Sequence, residues 1–412
     1  MADYNVTVSL GGVGATATSG VFNVLDYGAS MDGVTDDATA IQAAADAMIA
    51  AGSGTLLIPA GDYYVGSTIL IDWGEDKASD RSHCVIVSAY GAQIEAPITL
   101  DAPIIRFGDA AYQSRNMFLR GGTFRYASYN WDSGADYAAC VEFINPLNSG
   151  AYDIRALFGY AGVRIIGTNA EGAAYNTFSN VFVTDCLNAF QLVRDGSTSW
   201  SNENIFLGGS CNYTSGCPDA SAGYAISLLT GGDTGSTSNN NKFLGISLEC
   251  GMSSNKPGAV YDEYGVYNAY ENLRYEGFDD PYFTFGTNSK FAKISGGYIV
   301  DVVDAVSTAD QLKASVWANN GASFSGGTAT VGTITAINKT SSAYPAIVVR
   351  NATNTTDEVV AYGDGRLYSR ALLLDPRAAP SAPAEGTIYY DATANKLLFY
   401  NGSAWETITS ST

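Results

Sequence analysis

The chain has 412 residues and a formal net charge of −20, from 41 acidic against 21 basic residues. So acidic a surface repels phosphate backbones, which excludes nucleic acid as a natural ligand. Hydrophobic residues make up 46% and charged residues only 15%, too dry a balance for the surface of a monomer, so partner subunits are expected to cover part of the apolar surface. Glycine (45) and tyrosine (27) are abundant, and Thr, Ser and Asn crowd the turns. That combination reads as an all-β chain of many short strands.

Met1-Ala-Asp-Tyr-Asn-Val has no basic or apolar run, so no secretory signal is expected, and no stretch is long enough to span a bilayer. Residues 1–20 are small and polar and read as an extended arm. Then comes Phe22-Asn-Val-Leu-Asp26-Tyr27-Gly28-Ala29, followed by Asp32-Gly33-Val-Thr35-Asp36-Asp37-Ala38. Thr35 is the expected N-cap of a helix with Asp36 and Asp37 in its first turn, where carboxylates suit the helix dipole. Ile41, Ala44, Ala45, Met48 and Ile49 keep helical spacing, and Gly52 supplies the stop. A strand, Thr55-Leu-Leu-Ile58, leads into Pro59-Ala-Gly61-Asp62-Tyr63-Tyr64.

From Phe22 to Val65 this succession resembles the opening segment of the pectate-lyase-like β-helix superfamily, in which the helix caps the open end of the first coil. The resemblance implies a right-handed parallel β-helix with an N-terminal capping helix. It leaves the chemistry open, since that superfamily includes pectinases, phage tailspikes and inert virion proteins.

The middle of the chain repeats, as a solenoid does. Asn176-Thr-Phe178, Asn204-Ile-Phe206, Asn241-Lys-Phe243 and Asn268-Ala-Tyr270 each begin a nine-residue register: Asn, any, aromatic, any, Gly or Asn, then four residues of a strand. Asn116-Met-Phe118 reads as a weaker fifth copy. Asparagines at a tight corner are expected to bond coil to coil, and Gly or Asn at the fifth position tolerates a left-handed turn. By strand alternation the sixth and eighth positions point inward, the seventh and ninth outward.

Around residue 316 the texture changes to Thr/Ala/Val alternation. The chain closes on Gly386-Thr-Ile-Tyr-Tyr-Asp391 and Asn395-Lys-Leu-Leu-Phe-Tyr-Asn401-Gly402-Ser-Ala-Trp405. This resembles the ending common in phage tail fibres and spikes, which implies intertwined trimers. The expected organisation is an arm over 1–20, a β-helix over 21–315, and a β-rich trimerisation region over 316–412. On the tailspike reading the arm attaches to a baseplate, tail or head protein of a virion, and the protein is made in the host cytoplasm.

Six cysteines without CxxC spacing read as free, buried thiols, and the single His83 leaves a poor metal-ligand set, so neither metal nor cofactor is expected. His83 without a nucleophile elbow excludes a serine triad, and no glycine pair continues into a phosphate loop. What remains is carboxylates with aromatics, the usual equipment for glycoside cleavage. The outward ninth column runs Thr184, Asn212, Glu249, Glu276, and the seventh ends in Arg274. Glu249 and Glu276 are therefore the candidate catalytic pair, with Arg274 keeping the nearer one ionised as the nucleophile. Arg274, Tyr275, Trp200 and Asp185 are candidate glycan contacts. The expected function is a phage-type homotrimeric tailspike that recognises a bacterial capsule or O-antigen, with cleavage of that glycan left open by the sequence. A neutral, hydroxyl-rich sugar is the easier partner unless a local basic patch intervenes. A non-catalytic virion spike is the alternative, and a cellular pectin-type lyase or hydrolase the lesser one, disfavoured by the tail-fibre-like ending.

Overall fold

A computed structural model describes residues 20–73, 84–131, 138–169, 171–229, 238–279, most of 282–295, and shorter stretches between 301 and 408. His83 and the arm over 1–19 lie outside the described residues. By internal contacts the chain divides into two units, 1–330 and 331–412.

The first unit is a right-handed parallel β-helix. Its strands fall on three long sheets, here A, B and C, of 11, 9 and 10 described strands, with a short fourth side between C and A. One coil illustrates the path: Thr177–Ser179 in sheet A, Phe182–Thr184 in B, Asn188–Asp195 in C, and Trp200–Asn202 on the fourth side. Each strand pairs in parallel with its equivalents in the coils before and after, for example Phe178 with Ala151 and Phe206.

Two features set this path. The fifth register position is left-handed in all four repeats, at Asn180 (φ 54°), Gly208 (64°), Gly245 (66°) and Asn272 (54°). This sharp A-to-B corner explains why only Gly or Asn stands there. At the opposite corner the asparagines form a buried ladder. Asn176 Nδ2 donates to Asn204 Oδ1 at 2.8 Å, Asn204 to Asn241 at 2.9 Å, and Asn241 to Asn268 at 3.2 Å. The same side chains serve corner backbone: Asn268 Oδ1 accepts from Asn241 N (2.8 Å), and Asn241 Nδ2 donates to Ser201 O (2.9 Å). The ladder ends on the buried Asp262 carboxylate, which accepts from Asn268 Nδ2 (3.1 Å), Gly265 N (2.5 Å) and Tyr270 Oη (2.8 Å). Burial raises the pKa of that carboxyl.

Inside, Phe178, Phe206, Phe243 and Tyr270 stack ring on ring at 4.9, 4.8 and 5.4 Å, within 16° of parallel. The pitch of the strands, about 4.8 Å, is also a good offset-stacking distance, so one spacing satisfies both. Val181, Ile246 and Leu273 at the sixth position are buried, as are Val183, Cys211, Leu248 and Tyr275 at the eighth. All six cysteines are free; four are buried, and Cys84 and Cys217 half-buried.

Three expectations need correction. Asn116 does not start a fifth repeat, because Leu119, not Phe118, pairs with Ala151 in the inward column. Ser149 takes the ladder position instead, donating its N–H to Asn176 Oδ1 at 2.9 Å and accepting from Met117 N at 3.1 Å. A one-residue slip turns a strand over, so Phe118 faces outward.

Thr35 is not the N-cap. It lies within the strand Asp32–Asp36, in an irregular stretch held by the Asp32 carboxylate, which accepts from the Val34 and Thr35 backbone N–H groups and from Thr35 Oγ1. The helix runs Ala38–Ala50 with Asp37 at its N-cap. Asp36 bonds Ala38 N and Gly66 N, and Asp37 bonds Ser30 N, so the acidic run ties the opening loop rather than filling the first turn. The helix still caps the fold. Gln42 pairs in both senses with the backbone of Leu70, on the edge strand of sheet C.

Parallel pairing also continues past residue 316, through Ser315–Trp317 in sheet A and Ser323–Ser325 in sheet C. Short β-branched strands look alike in sequence inside and outside a solenoid, so the change of texture does not locate its end.

The second unit contains two antiparallel sheets. Pro345–Arg350, Asp357–Tyr362 and Leu367–Ser369 make one; Ile388–Asp391, Lys396–Tyr400 and Trp405–Thr407 make the other. The Asn401 side chain closes the last turn onto Ser403 N and Ala404 N.

Asn241→Ala is expected to lower stability by about 1–3 kcal/mol, since corner groups served by its amide lose their partner inside the core; denaturant unfolding measures it. Corner glycines divide by surroundings. A Cβ at Gly245 meets nothing, whereas at Gly209 (φ 83°) it runs into the Val181 backbone. Gly245→Asn should stay within about 1 kcal/mol of the parent and Gly209→Ala should cost several times that.

Candidate functional site

Because the coils are in register, side chains on the outer face of sheet B form continuous columns. The seventh position runs Gln93, Thr123, Arg155, Phe182, Ser210, Ser247, Arg274. The ninth runs Glu95, Arg125, Leu157, Thr184, Asn212, Glu249, Glu276 through the same pairings. Nearly all chemistry on this face is set by what one coil places beside the next.

Glu249 and Glu276 are register partners on neighbouring strands. Both face solvent, with side chains 41% and 62% exposed. Arg274 lies between them and touches each, its Nη1 on Glu249 and its Nη2 on Glu276, while Nη1 also reaches Ser247 Oγ at 3.0 Å. Ser247 Oγ in turn donates to Glu249 Oε1 at 3.0 Å. The guanidinium thus offsets the repulsion that two stacked carboxylates would otherwise suffer. The asymmetry expected from sequence, with Arg274 serving only its nearer neighbour, is absent: the fork of donors reaches both. An exposed triplet of this kind contributes little to stability, about 0–1 kcal/mol.

The other candidates lie elsewhere. Tyr275 is at the inward eighth position and only 5% exposed. It stacks on Tyr282 at 5.3 Å and packs edge-on against Phe283, so no ring face is left for a sugar. Its neighbours Arg274 and Glu276 point out because alternation requires it. Asp185 is also buried. Its carboxylate accepts from Thr214 N (2.6 Å), Thr214 Oγ1 (2.7 Å) and Tyr129 Oη (3.3 Å), and its own backbone is left-handed (φ 52°). It anchors the corner after sheet B rather than a ligand. Trp200 is half-buried on the fourth side, away from the face of the two glutamates, with its indole over Gly172.

A second feature of the same face was not legible from the repeat. Arg155 lies over the Phe182 ring at 5.7 Å, and Arg125, one coil earlier, over Phe158 at 5.3 Å. Phe158 also meets Tyr129 edge-on at 5.0 Å, and Tyr129 meets Trp131 at 5.2 Å. The coil of Arg155 lacks the Asn-x-aromatic opening that marks the repeat from Asn176 onward. Aligning Asp153-Ile-Arg155-Ala-Leu-Phe158 with Asn180-Val-Phe182-Val-Thr-Asp185 would have placed these arginines on the same face.

Among the described residues no three of His, Cys, Asp or Glu converge in a way that would hold a metal ion, and no helix is long and apolar enough to cross a membrane.

Comparison with known proteins agrees with this architecture. Residues 21–91 match the family of rhamnogalacturonase A/epimerase, pectate lyase-like proteins. A mannuronan C5-epimerase of Azotobacter vinelandii is 61% identical over 73 residues, 16% of this chain and 7% of the epimerase. The chain therefore spans less than a tenth of that relative's length. Among solved structures, a Geobacillus virus E2 protein superposes with a TM-score of 0.50 at 14% identity, covering 95% of this chain and 86% of the viral one. The enzymatically active domain of tailspike protein 2 from bacteriophage CBA120 gives 0.39 at 13% identity, over 74% and 47% of the two chains. The likeness to the viral protein, at so low an identity, is one of fold.

Asp185→Ala is expected to destabilise the protein by about 1–3 kcal/mol through the orphaned Thr214 and Tyr129 donors. Ligand affinity should be unchanged, as calorimetry on the folded variant will read.

Proposed function

We propose that this chain is a spike of a virus particle that recognises a bacterial surface polysaccharide along the outer face of sheet B. The observation that carries the reading is that face itself. It runs over several coils and carries in-register columns of polar, charged and aromatic side chains, which suits an extended polymer better than a small molecule. The likeness of a 73-residue stretch to an enzyme of mannuronan, a polysaccharide, supports a carbohydrate ligand. The fold shared with a viral protein over most of both chains supports a place on a virion, as does the tail-fibre-like ending.

In this reading the protein works as a homotrimer clamped by the β-rich C-terminal region that follows the parallel coils, with the N-terminal arm joining a baseplate, tail or head protein. The low charge and high apolar fraction of the chain motivate the trimer. Mass measurement in solution should give three chains per particle. A folded monomer at micromolar concentration would overturn it.

A second reading adds cleavage, and one observation favours it: Glu249 and Glu276 are register partners. Neighbouring strands lie about 4.8 Å apart, close to the carboxylate separation of roughly 5–5.5 Å in retaining glycosidases. There one carboxylate attacks the anomeric carbon to form a glycosyl–enzyme bond. The other, as the acid, gives its proton to the leaving oxygen, and water later hydrolyses the intermediate. Arg274 now engages both groups, so the acid must leave the guanidinium before it can carry a proton. A sugar hydroxyl or carboxylate taking its place on Arg274 would release it.

Incubation with a panel of purified bacterial capsules and O-antigens tests both readings. Binding without shortened chains supports a receptor-binding spike, shortened chains support a depolymerase, and neither result for any polysaccharide sinks both. If chains are shortened, Glu249→Gln and Glu276→Gln should each lower the rate at least a hundredfold with the trimer and glycan affinity retained. Full activity in both single variants would move the chemistry elsewhere.

A further inference from the structure

We propose that the arginine–phenylalanine patch on sheet B, Arg155 over Phe182 with Arg125 over Phe158, is a subsite for an anionic sugar residue, carrying a carboxylate or a phosphate. This rests on the reading of sheet B as a polysaccharide-binding face and names the chemical class that the face selects.

Of the solvent-facing cations, Arg125, Lys256, Arg274 and Lys293 pair with carboxylates: Glu95, Asp279, Glu249 with Glu276, and Glu271. Arg155, like Arg120 and Lys242, does not, and it is set apart from those two by its place on the outer face of sheet B. It is exposed, and among the described residues no carboxylate comes within ion-pair reach of it. Its recorded neighbour is the Phe182 ring, itself 39% exposed. A guanidinium attracted to a ring face keeps its edge N–H groups available for a further partner. Those donors form the fork that matches carboxylate or phosphate oxygens two at a time. The open part of Phe182 offers an apolar surface next to that fork, as the C–H face of a pyranose requires.

Phe158 supplies a second, independent observation. Its backbone is left-handed at φ 67°, a conformation costly for a bulky side chain. The equivalent corner one coil on is held by Asp185, which tolerates it better. A phenylalanine kept there against its backbone preference puts a ring beneath Arg125 and wedges it against Tyr129. Arg125 pairs with Leu157, two residues along the strand from Arg155. The two arginines therefore project from the same face roughly 8 Å apart at the Cα atoms, given the strand spacing and rise. One is paired with Glu95 and the other has no carboxylate partner among the described residues, so the patch holds a guanidinium available to an anionic ligand. Three and four coils beyond Arg155, Ser247 with Glu249 and then Arg274 with Glu276 form the polar, acid-bearing end of the same strip. A polymer laid along sheet B is held by its charge at one end and meets carboxylates at the other.

The test uses the full-length protein and purified bacterial capsular polysaccharides and O-antigens sorted into neutral, uronate-bearing and phosphate-bearing sets. The polysaccharides retained should be acidic, and their binding should weaken in roughly 0.5 M salt, which screens an exposed ion contact. Arg155→Gln should lower affinity for them at least roughly tenfold with an unchanged melting temperature, while Arg155→Lys, which keeps the charge without the planar fork, should fall between. Carboxyl-reduced and dephosphorylated forms of the retained polymer identify which anion Arg155 takes. Retention of neutral polysaccharides alone would overturn the subsite while leaving the glycan-binding reading intact. Acidic binding unaltered in Arg155→Gln would overturn it as well, and retention of nothing would overturn both.

Discussion

A buried corner is the constraint on which this molecule depends. Each coil of the helix turns sharply between its fourth side and sheet A, and the turn leaves peptide N–H and C=O groups facing an interior without water. Such groups cost free energy unless they are bonded. The ladder from Ser149 through Asn176, Asn204, Asn241 and Asn268 to Asp262 supplies those bonds. An asparagine amide both donates and accepts, so it can serve the coil above and its own corner together. Serine does so in part at one end, and a buried carboxylate closes the other.

Register follows from that ladder, and much else follows from register. Once the corners are locked coil to coil, every strand pairs with its equivalent at a fixed pitch. The Phe178–Phe206–Phe243–Tyr270 stack then falls at ring-stacking distance without further adjustment. At the other end of each sheet A strand, the corner needs a left-handed residue, which Asn or Gly accepts in every repeat. The opening helix closes the stack for a similar reason. The Gln42 side-chain amide satisfies backbone groups of an edge strand that has no coil before it to pair with, and so blocks edge-to-edge association.

An in-register stack also dictates how charge is arranged outside. Like charges in one column are about 4.8 Å apart at the backbone, so they repel unless something intervenes. Two solutions occur here. On sheet C the outward-pointing column is itself covered: Glu142, fully buried, sits between Arg106 and Arg164 of the adjoining coils, at 2.6 and 3.8 Å, so the column alternates in sign. On sheet B, Glu249 and Glu276 are adjacent in one column and are bridged from the next column by Arg274. The second arrangement concentrates acid at one place on an exposed face, and the Arg155 patch concentrates base at another. A flat face with separated charge of both signs suits a long polymer whose orientation has to be recognised.

The residues along the chain were sufficient for the solenoid, the capping helix, the asparagine ladder and the alternation that sends Glu249, Arg274 and Glu276 outward. Each depends on a local pattern repeated at coil length: a corner residue, an aromatic two places on, and strict alternation. That same alternation puts Tyr275 inside, and the pattern was legible there too, although tyrosine chemistry alone suggested a sugar contact. Tertiary structure alone decided the rest. Asp185 looks like any surface acid in sequence, and it is buried because Thr214, one coil on, and Tyr129, two coils back, close over it. The N-cap moved from Thr35 to Asp37 because Asp32 captured the Thr35 hydroxyl. Phe118 turned outward because its strand is offset by one residue from the repeat. Arg155 and Phe182 are 27 residues apart in sequence and meet only through the pitch of the helix. In a solenoid, periodic features survive in the sequence because every coil repeats them. A contact between unlike side chains in successive coils occurs once, leaves no period, and becomes visible only when the coils are laid on one another.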